Sequence, residues 1–234
     1  MEKREKLYEG KAKILYSTDD PDLVIQYFKD DATAFNAAKK GTVQQKGIMN
    51  NKISTKVFEF LQSEGIPTHF VKHLNDREML VKKVEIVSVE VIIRNKAAGS
   101  FCRMFGAQEG QKLAQPVLEF CYKNDALGDP LMNEDHILAL KLATKDEINT
   151  IKNYTHKVNE LMSRFFAKLN LELIDFKLEF GRFKGKVILA DEISPDTCRL
   201  WEIGTGKKMD KDRFRHDLGN IAEAYQEVLA RVSK

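Results

Sequence analysis

The chain has 234 residues, of which 43% are hydrophobic, and this is enough to bury a core in one large lobe or two small ones. Its 38 basic residues nearly balance its 35 acidic residues, which leaves a formal net charge of +3. A balanced surface provides no broad basic field, so we expect neither a nucleic acid nor a membrane as a partner.

The cysteines and the apolar runs indicate the compartment. Cys102, Cys121 and Cys198 lie far apart and match neither a metal-binding spacing nor a disulfide framework, which fits a reducing environment. No apolar signal segment follows the charged residues 2–6, and the longest apolar runs, at 91–93 and 187–190, are only strand-sized. We therefore expect a cytoplasmic protein.

The first part of the chain is predicted to be rich in β-structure. Short alternating or β-branched runs predict strands at 7–8, 12–16, 23–29, 69–73, 79–84 and 88–94. One helix is predicted at 50–64, ending at Gly65 with Pro67 behind it. The small, polar segment 30–47 is compatible with a mobile lid or with a plain surface loop.

The second part mixes helices and strands. Asn133 is predicted to cap a short helix that continues to residue 142, and Thr144 with Glu147 forms a capping box that opens a long helix. Asp210 is predicted to cap the last helix, with an apolar stripe from Phe214 to Val232. The sequence thus predicts an α+β fold with a β-rich lobe at 1–83 and an α+β lobe at 84–234. Ligands favour the cleft between such lobes, here near residues 82–83.

A predicted hairpin at 175–191 carries the strongest chemical signal. Its first strand alternates charged residues (Asp175, Lys177, Glu179) with bulky apolar residues, so the charges share one face. Lys184-Gly185 is a turn signal. A two-residue turn places Glu179 opposite Ala190, and a three-residue turn places it opposite Asp191. Either register brings two carboxylates together, and unpaired anions in this position require a cation.

A site with few carboxylates suits magnesium that also carries nucleotide phosphates. The alternative is an ordinary hairpin with solvated charges. The apolar residues that flank the charges and the loop DEISPD at 191–196 favour the metal site.

Three further clusters have the composition of anion sites. Gly10 with Lys11 and Lys13 forms a tight turn that suits phosphate, although a solvated hairpin explains it as well. The segment RNKAAGS at 94–100 joins cations to a Gly-Ser turn, and an exposed strand-to-helix turn is the alternative. The third cluster is the loop 194–199 together with Arg213 and Arg215.

The chain resembles the SAICAR synthetase family, the phosphoribosylaminoimidazole-succinocarboxamide synthases of purine biosynthesis. The resemblance covers essentially the whole chain and depends on six segments: LYEGKAK (7–13), LVKK (80–83), VIIRNKAAGS (91–100), DFKLEFG (175–181), DEISPDTCRLW (191–201) and MDKDRFR (209–215). It implies a two-lobed α+β fold whose antiparallel, β-rich N-terminal lobe is similar to that of protein kinases. ATP is then expected between the lobes, and the resemblance also implies a homodimer.

The resemblance also implies roles for individual residues. Those expected to bind ATP are Gly10, Lys11, Ala12 and Lys13 at the phosphates and Val81, Lys82 and Lys83 at the adenine hinge. Those expected to bind the ribonucleotide are Arg94, Ser100, Asp175, Lys177, Asp196, Arg199 and Arg215. Glu179 and Asp191 are expected to hold magnesium and, together with Lys177, to act in catalysis.

The implied reaction joins the carboxylate of carboxyaminoimidazole ribonucleotide (CAIR) to the amine of L-aspartate, with ATP becoming ADP and phosphate. We expect an acyl phosphate on the path, because a bare carboxylate is a poor electrophile. A small-molecule kinase with the same ATP and magnesium site is the main alternative. A nucleotide- or RNA-binding module without chemistry is disfavoured by the balanced charge.

Overall fold

An antiparallel sheet dominates the first part of the chain in this computed structural model, which describes residues 2–34 and 39–234. The strands of this part are β1 (Lys6–Glu9), β2 (Lys13–Ser17), β3 (Leu23–Phe28), β4 (Asp31–Ala34), β5 (Lys39–Thr42), β6 (Phe70–Asn75) and β7 (Glu78–Lys82). Five of them form one sheet in the order β1-β2-β3-β7-β6, and β4 pairs with β5 separately. The central strand β3, with the sequence LVIQYF, is mostly buried, as its apolar content predicts.

A second antiparallel sheet occupies the rest of the chain. Its strands are β8 (Glu85–Lys96), β9 (Lys112–Tyr122), β10 (Leu131–Met132), β11 (Leu171–Phe183), β12 (Lys186–Ala190) and β13 (Cys198–Glu202). The order is β10-β9-β8-β11-β12, with β13 also paired to β11. Strand β11 therefore has β8 along one edge and β12 and β13 along the other.

Residues 2–34 and 39–234 contain six α-helices. They are α1 (Lys46–Ser63), α2 (Ser100–Phe105), α3 (Glu134–Ala139), α4 (Lys145–Lys168), α5 (Asp212–Arg215) and α6 (Ile221–Val232). Helix α1 packs on the first sheet, α4 packs on the second, and α6 packs on α1. One continuous apolar core joins α1, α3, α4 and α6 to both sheets, with fully buried members such as Phe28, Phe58, Phe166 and Phe180. Within residues 2–34 and 39–234, no helix is long and apolar enough to cross a membrane.

The α+β class and the antiparallel sheets are confirmed, as are most predicted elements. The capping boxes at Asn133 and Thr144 are both formed. The first helix begins earlier than predicted, at Lys46, and the short helix α3 ends earlier, at Ala139. Segment 30–47 contains the strands β4 and β5, whereas Phe35 and Asn36, which also belong to it, lie outside the described residues.

The predicted start of the last helix was wrong. Asp210 caps no long helix, and its buried carboxylate accepts hydrogen bonds from the backbone N–H groups of Leu200 and Asp212. Only the four-residue helix α5 follows, and α6 begins at Ile221, after Asn220 in the left-handed region. Gly219, also at positive φ, interrupts the apolar stripe that suggested one helix.

Strand β9 was not predicted, because its sequence KLAQPVLEFCY contains Pro116. Proline lacks an N–H group and is normally excluded from the interior of a sheet. Here the pairing of β9 with β8 is irregular between Arg94 and Lys96, and this bulge accommodates the proline.

The Glu147 carboxylate links the start of α4 to the hairpin of β11 and β12. It accepts from the Thr144 backbone N–H at 2.8 Å and from Arg182 Nε at 2.5 Å. The hydrogen bond from Arg182 lowers the pKa of Glu147 from 4.5 to about 2. Because the pKa of Glu147 is lower in the folded protein than its unfolded value of 4.5, its ionised carboxylate stabilises the fold at pH values above 4.5. This contribution is lost as the pH falls towards about 2.

We expect Glu147→Gln to lower the free energy of unfolding by about 1 kcal/mol at neutral pH, after allowing for solvent screening of a partly exposed pair. Chemical unfolding over a descending pH series measures this difference, which should shrink below pH 4.5. The exposed Glu160→Gln on the same helix is the control and should change little at any pH. A difference that grows as the pH falls would contradict the assignment.

Candidate active site

The hairpin of β11 and β12 forms with a two-residue turn. Lys184 and Gly185 both have positive φ, at 49° and 75°, as the tight hairpin turn requires. Glu179 therefore pairs with Ala190, one residue before Asp191, which is the first of the two predicted registers. The apolar face of β11 is almost fully buried in the core, and Asp175, Lys177 and Glu179 share the opposite face.

Glu179 and Asp191 lie in one electrostatic cluster. Asp191 has a φ of 64°, a left-handed conformation uncommon for a non-glycine residue, immediately after β12. Burial and then the charge of Asp191 raise the pKa of Glu179. The cross-strand partner of Glu179 on β8 is another acid, Glu90. Carboxylates therefore converge here from three strands or strand ends.

The carboxylates are not unpaired, which corrects the expectation from the sequence. Lys13 pairs with Asp191 and lies 3.1 Å from Glu192, and Lys177 Nζ lies 2.6 Å from Glu90. Lys123 Nζ lies 2.9 Å from Glu179. Burial by itself would lower the pKa of Lys13, but the surrounding carboxylates hold it above its ordinary value.

This donor set fits a hard cation. Among residues 2–34 and 39–234, no group of three or more His, Cys, Asp or Glu side chains is arranged to enclose a metal ion. Two carboxylate ligands leave the remaining positions of an octahedral ion to waters and phosphate oxygens, as magnesium prefers in nucleotide sites. Glu179 and Asp191 are the residues that would hold it.

The predicted phosphate turn lies beside these carboxylates. The Gly10 N–H donates to the Lys13 carbonyl at 2.8 Å and closes the turn between β1 and β2, which includes Ala12. From this turn Lys13 reaches Asp191, whereas Lys11 pairs with Asp125 at 2.6 Å. The turn therefore places the Lys13 ammonium group against a predicted metal ligand and directs Lys11 to Asp125.

The predicted adenine hinge lies at the end of β7, where the chain passes from the first sheet to the second. Val81 is buried, and the Lys82 N–H donates to the His69 carbonyl at 2.7 Å. The Lys83 N–H donates to the Asp22 carbonyl, also at 2.7 Å. The hinge backbone is thus held in place by the loops on either side.

A cavity of about 330 Å³ collects the predicted ribonucleotide residues. Its lining includes all of them, namely Arg94, Ser100, Asp175, Lys177, Asp196, Arg199 and Arg215. Lys11 also lines it, so the cavity extends from the arginine cluster to the phosphate turn. A larger groove of about 600 Å³ between the start of α1 and helix α6 contains none of these residues.

Sheet register explains how residues distant in sequence meet in this cavity. Asp175 on β11 pairs with Arg94 on β8 and with Arg199 on β13. Its carboxylate accepts from Arg94 Nη1 at 2.8 Å and from Arg199 Nη1 at 2.9 Å. Arg199 Nε also donates to Asp212 at 2.8 Å, and Asp212 accepts a second hydrogen bond from Arg215 at 2.6 Å.

Arg94 is only 2% exposed, and every N–H group of its guanidinium has a partner within the protein. The partners are Glu119, the Ala98 carbonyl, Asp175 and the Ser100 hydroxyl. Arg94 therefore holds Ser100 and Asp175 in place, and a bond from Arg94 to a ligand would have to replace one of these.

Sequence reasoning missed several charged residues that the fold brings to this region. Glu90, Lys123 and Glu192 belong to the carboxylate–lysine cluster, and Lys211 lines the cavity. Lys46 and Tyr225 contact Asp196 from two helices. For Glu90 a signal was available, because the predicted strand at 88–94 placed an acid within an otherwise apolar run.

Comparisons with known proteins identify the family of this chain. A model of the family described as SAICAR synthetase matches residues 6–232. A phosphoribosylaminoimidazole-succinocarboxamide synthase from Caldanaerobacter subterraneus subsp. tengcongensis is 61% identical over 234 residues, which is 100% of both chains.

Solved structures show the same fold. A crystal structure of the same-named enzyme from Ehrlichia chaffeensis has a TM-score of 0.96 at 48% identity and covers 98% of both chains. A SAICAR synthetase in complex with ADP has a TM-score of 0.93 at 44% identity and covers 96% of both chains. By sequence over its full length and by structure, the chain belongs to the SAICAR synthetase family.

Proposed function

We propose that this enzyme joins the carboxylate of CAIR to the amine of L-aspartate and converts ATP to ADP and phosphate. Its family makes it a carbon–nitrogen ligase of purine biosynthesis. One cavity supports this proposal, because its lining contains every predicted ribonucleotide residue: Arg94, Ser100, Asp175, Lys177, Asp196, Arg199 and Arg215. Of these, Lys177 also belongs to the carboxylate–lysine cluster. A ribonucleotide and a transferring phosphoryl group would meet at Lys177.

The chemistry requires the carboxylate of the ribonucleotide to be activated. An amine is repelled by its negative charge, and oxide is not a viable leaving group, so phosphorylation must precede attack. Glu179 and Asp191 would hold a magnesium ion, which offsets the charge of the ATP phosphates when bound. Lys177 would stabilise the phosphoryl group in transfer, and the arginines would hold the acceptor in position.

ATP is proposed to lie between lobes 1–83 and 84–234. Lys11 and Lys13, with the backbone of Gly10 and Ala12, would contact its phosphates, and Val81 to Lys83 would flank the adenine. The ADP bound by a relative of 44% identity supports the use of an adenine nucleotide by this chain. A homodimer is proposed from the family resemblance, and a cytoplasmic location from the three free cysteines.

ADP release with each substrate omitted in turn tests the function. We expect ADP only when ATP, CAIR and aspartate are all present, apart from a slow background without aspartate. A small-molecule kinase would release ADP at full rate without aspartate, and this result would refute the ligase proposal.

A second test separates the ribonucleotide site from the ATP site. We expect Arg199→Lys and Arg215→Lys each to weaken ribonucleotide binding about tenfold or more, because a point charge cannot replace a planar fork of donors. ATP affinity should change less than about twofold. Calorimetric titration measures both affinities, and Arg164→Lys on the exposed face of α4 is the matched control. If the variants lost ATP affinity instead, the assignments of the ribonucleotide site and the ATP site would have to be exchanged.

A further inference from the structure

Side chains from two helices contact the Asp196 carboxylate. Its Oδ2 lies 2.6 Å from Lys46 Nζ at the start of α1, and its Oδ1 accepts from the Tyr225 hydroxyl of α6 at 2.7 Å. The Asp196 and Lys46 side chains are 4% and 1% exposed. Asp196 is among the residues that line the cavity, and Lys46 and Tyr225 are not.

This arrangement is costly for stability. A buried ion pair loses the hydration of both charges, and replacement by apolar residues is often neutral or stabilising. Lys46 is also the first residue of α1, where the helix dipole disfavours a cation. The first turn, Lys46 to Met49, contains no acidic residue that would offset this effect. Natural proteins retain arrangements that lower stability mainly at functional sites.

The charges around the cavity indicate what Asp196 is for. Of the described residues that line it, six are cationic and only Asp175 and Asp196 are acidic. Both oxygens of Asp175 already accept from Arg199, and one also accepts from Arg94. Each oxygen of Asp196 accepts a single hydrogen bond, Oδ2 from Lys46 and Oδ1 from Tyr225, and Lys211 Nζ, which also lines the cavity, lies 3.8 Å from Oδ2. Asp196 is therefore the less saturated of the two carboxylates and can accept a further hydrogen bond from an N–H or O–H group of a bound substrate.

We propose that Lys46 and Tyr225 are positioning residues that fix Asp196 as an acceptor for the ribonucleotide, an inference that builds on the proposed function. Lys211 and Lys46 favour the ionised form of the carboxylate, and the Tyr225 hydroxyl sets its rotation. Because Asp196 lines the cavity and Lys46 and Tyr225 do not, the carboxylate can still accept a hydrogen bond from a ligand bound there. Neither residue contacts the substrate.

Binding of the stable product SAICAR tests the proposal, with MgADP as the second ligand. Tyr225→Phe removes one hydroxyl, and we expect it to weaken SAICAR binding about tenfold while MgADP affinity stays within about twofold. Lys46→Met should weaken SAICAR binding further. Tyr154→Phe on α4, which is partly buried against the same core, is the matched control and should leave both affinities unchanged.

A merely structural role gives a different pattern. Folded Tyr225→Phe protein that binds SAICAR within about twofold of the parent would overturn the proposal. So would parallel losses of SAICAR and MgADP affinity with a lowered melting temperature. A parent enzyme that binds MgADP but not SAICAR would instead refute the proposed function itself, and this inference with it.

Discussion

Glu179→Gln and Asp191→Asn are each expected to lower kcat/KM by at least about a hundredfold, since both variants keep the shape of the side chain but remove a charge that the proposed magnesium requires. Activity measured over a magnesium titration checks this, because added magnesium should restore only part of the loss. Glu172→Gln on the same strand, whose carboxylate is paired with Lys96 away from the cluster, is the control. Near-normal turnover in either variant would contradict the metal assignment.

The two variants should differ in stability. Burial and the charge of Asp191 raise the pKa of Glu179, so neutral Gln should melt at or above the parent temperature. The pKa of Asp191 is lowered despite its burial, because Lys13 and Lys177 favour its ionised form. Asp191→Asn leaves Lys13 with less compensation and should melt below the parent. Thermal melts without nucleotide separate the two cases.

Lys177→Met is expected to lower kcat by about a hundredfold, with little change in ATP affinity and a much smaller loss of ribonucleotide affinity than of kcat, since its main proposed role is to stabilise the phosphoryl group during transfer. Lys177 lies 3.6 Å from Glu179 and also lines the cavity. Lys123 pairs with the same carboxylate at 2.9 Å but outside that lining. Lys123→Met is therefore the matched control, with a much smaller expected effect. Equal losses of kcat in both variants would mean that Lys177 acts only as a counter-ion of Glu179.

Features of the site that depend on local pattern could be predicted from the sequence. The alternation along 175–180 specifies which face of β11 is charged, and Lys184-Gly185 specifies the turn. Once these are known, Glu179 and Asp191 must be near each other. The same local logic identified both capping boxes, because each depends on residues three positions apart.

Features that depend on tertiary packing could not be predicted. Lys46 and Asp196 are 150 positions apart and meet only because α1 packs beneath the loop that follows β12. In the sequence, Lys46 is indistinguishable from a surface lysine. Likewise, Tyr225 belongs to the apolar stripe of α6, and nothing local shows that its hydroxyl reaches a carboxylate. Arg94 was predicted as a ribonucleotide ligand from the family resemblance, and the sequence does not reveal that all of its N–H groups have partners within the protein.

Isotope transfer tests whether an acyl phosphate of CAIR forms in this cavity. When the carboxylate of CAIR carries heavy oxygen, one labelled oxygen should leave with the phosphoryl group and appear in the released inorganic phosphate, where mass spectrometry detects it. Activation by adenylation would instead place the label in AMP and release pyrophosphate. Unlabelled phosphate released while SAICAR is formed would contradict the mechanism, even if every binding residue proved correct.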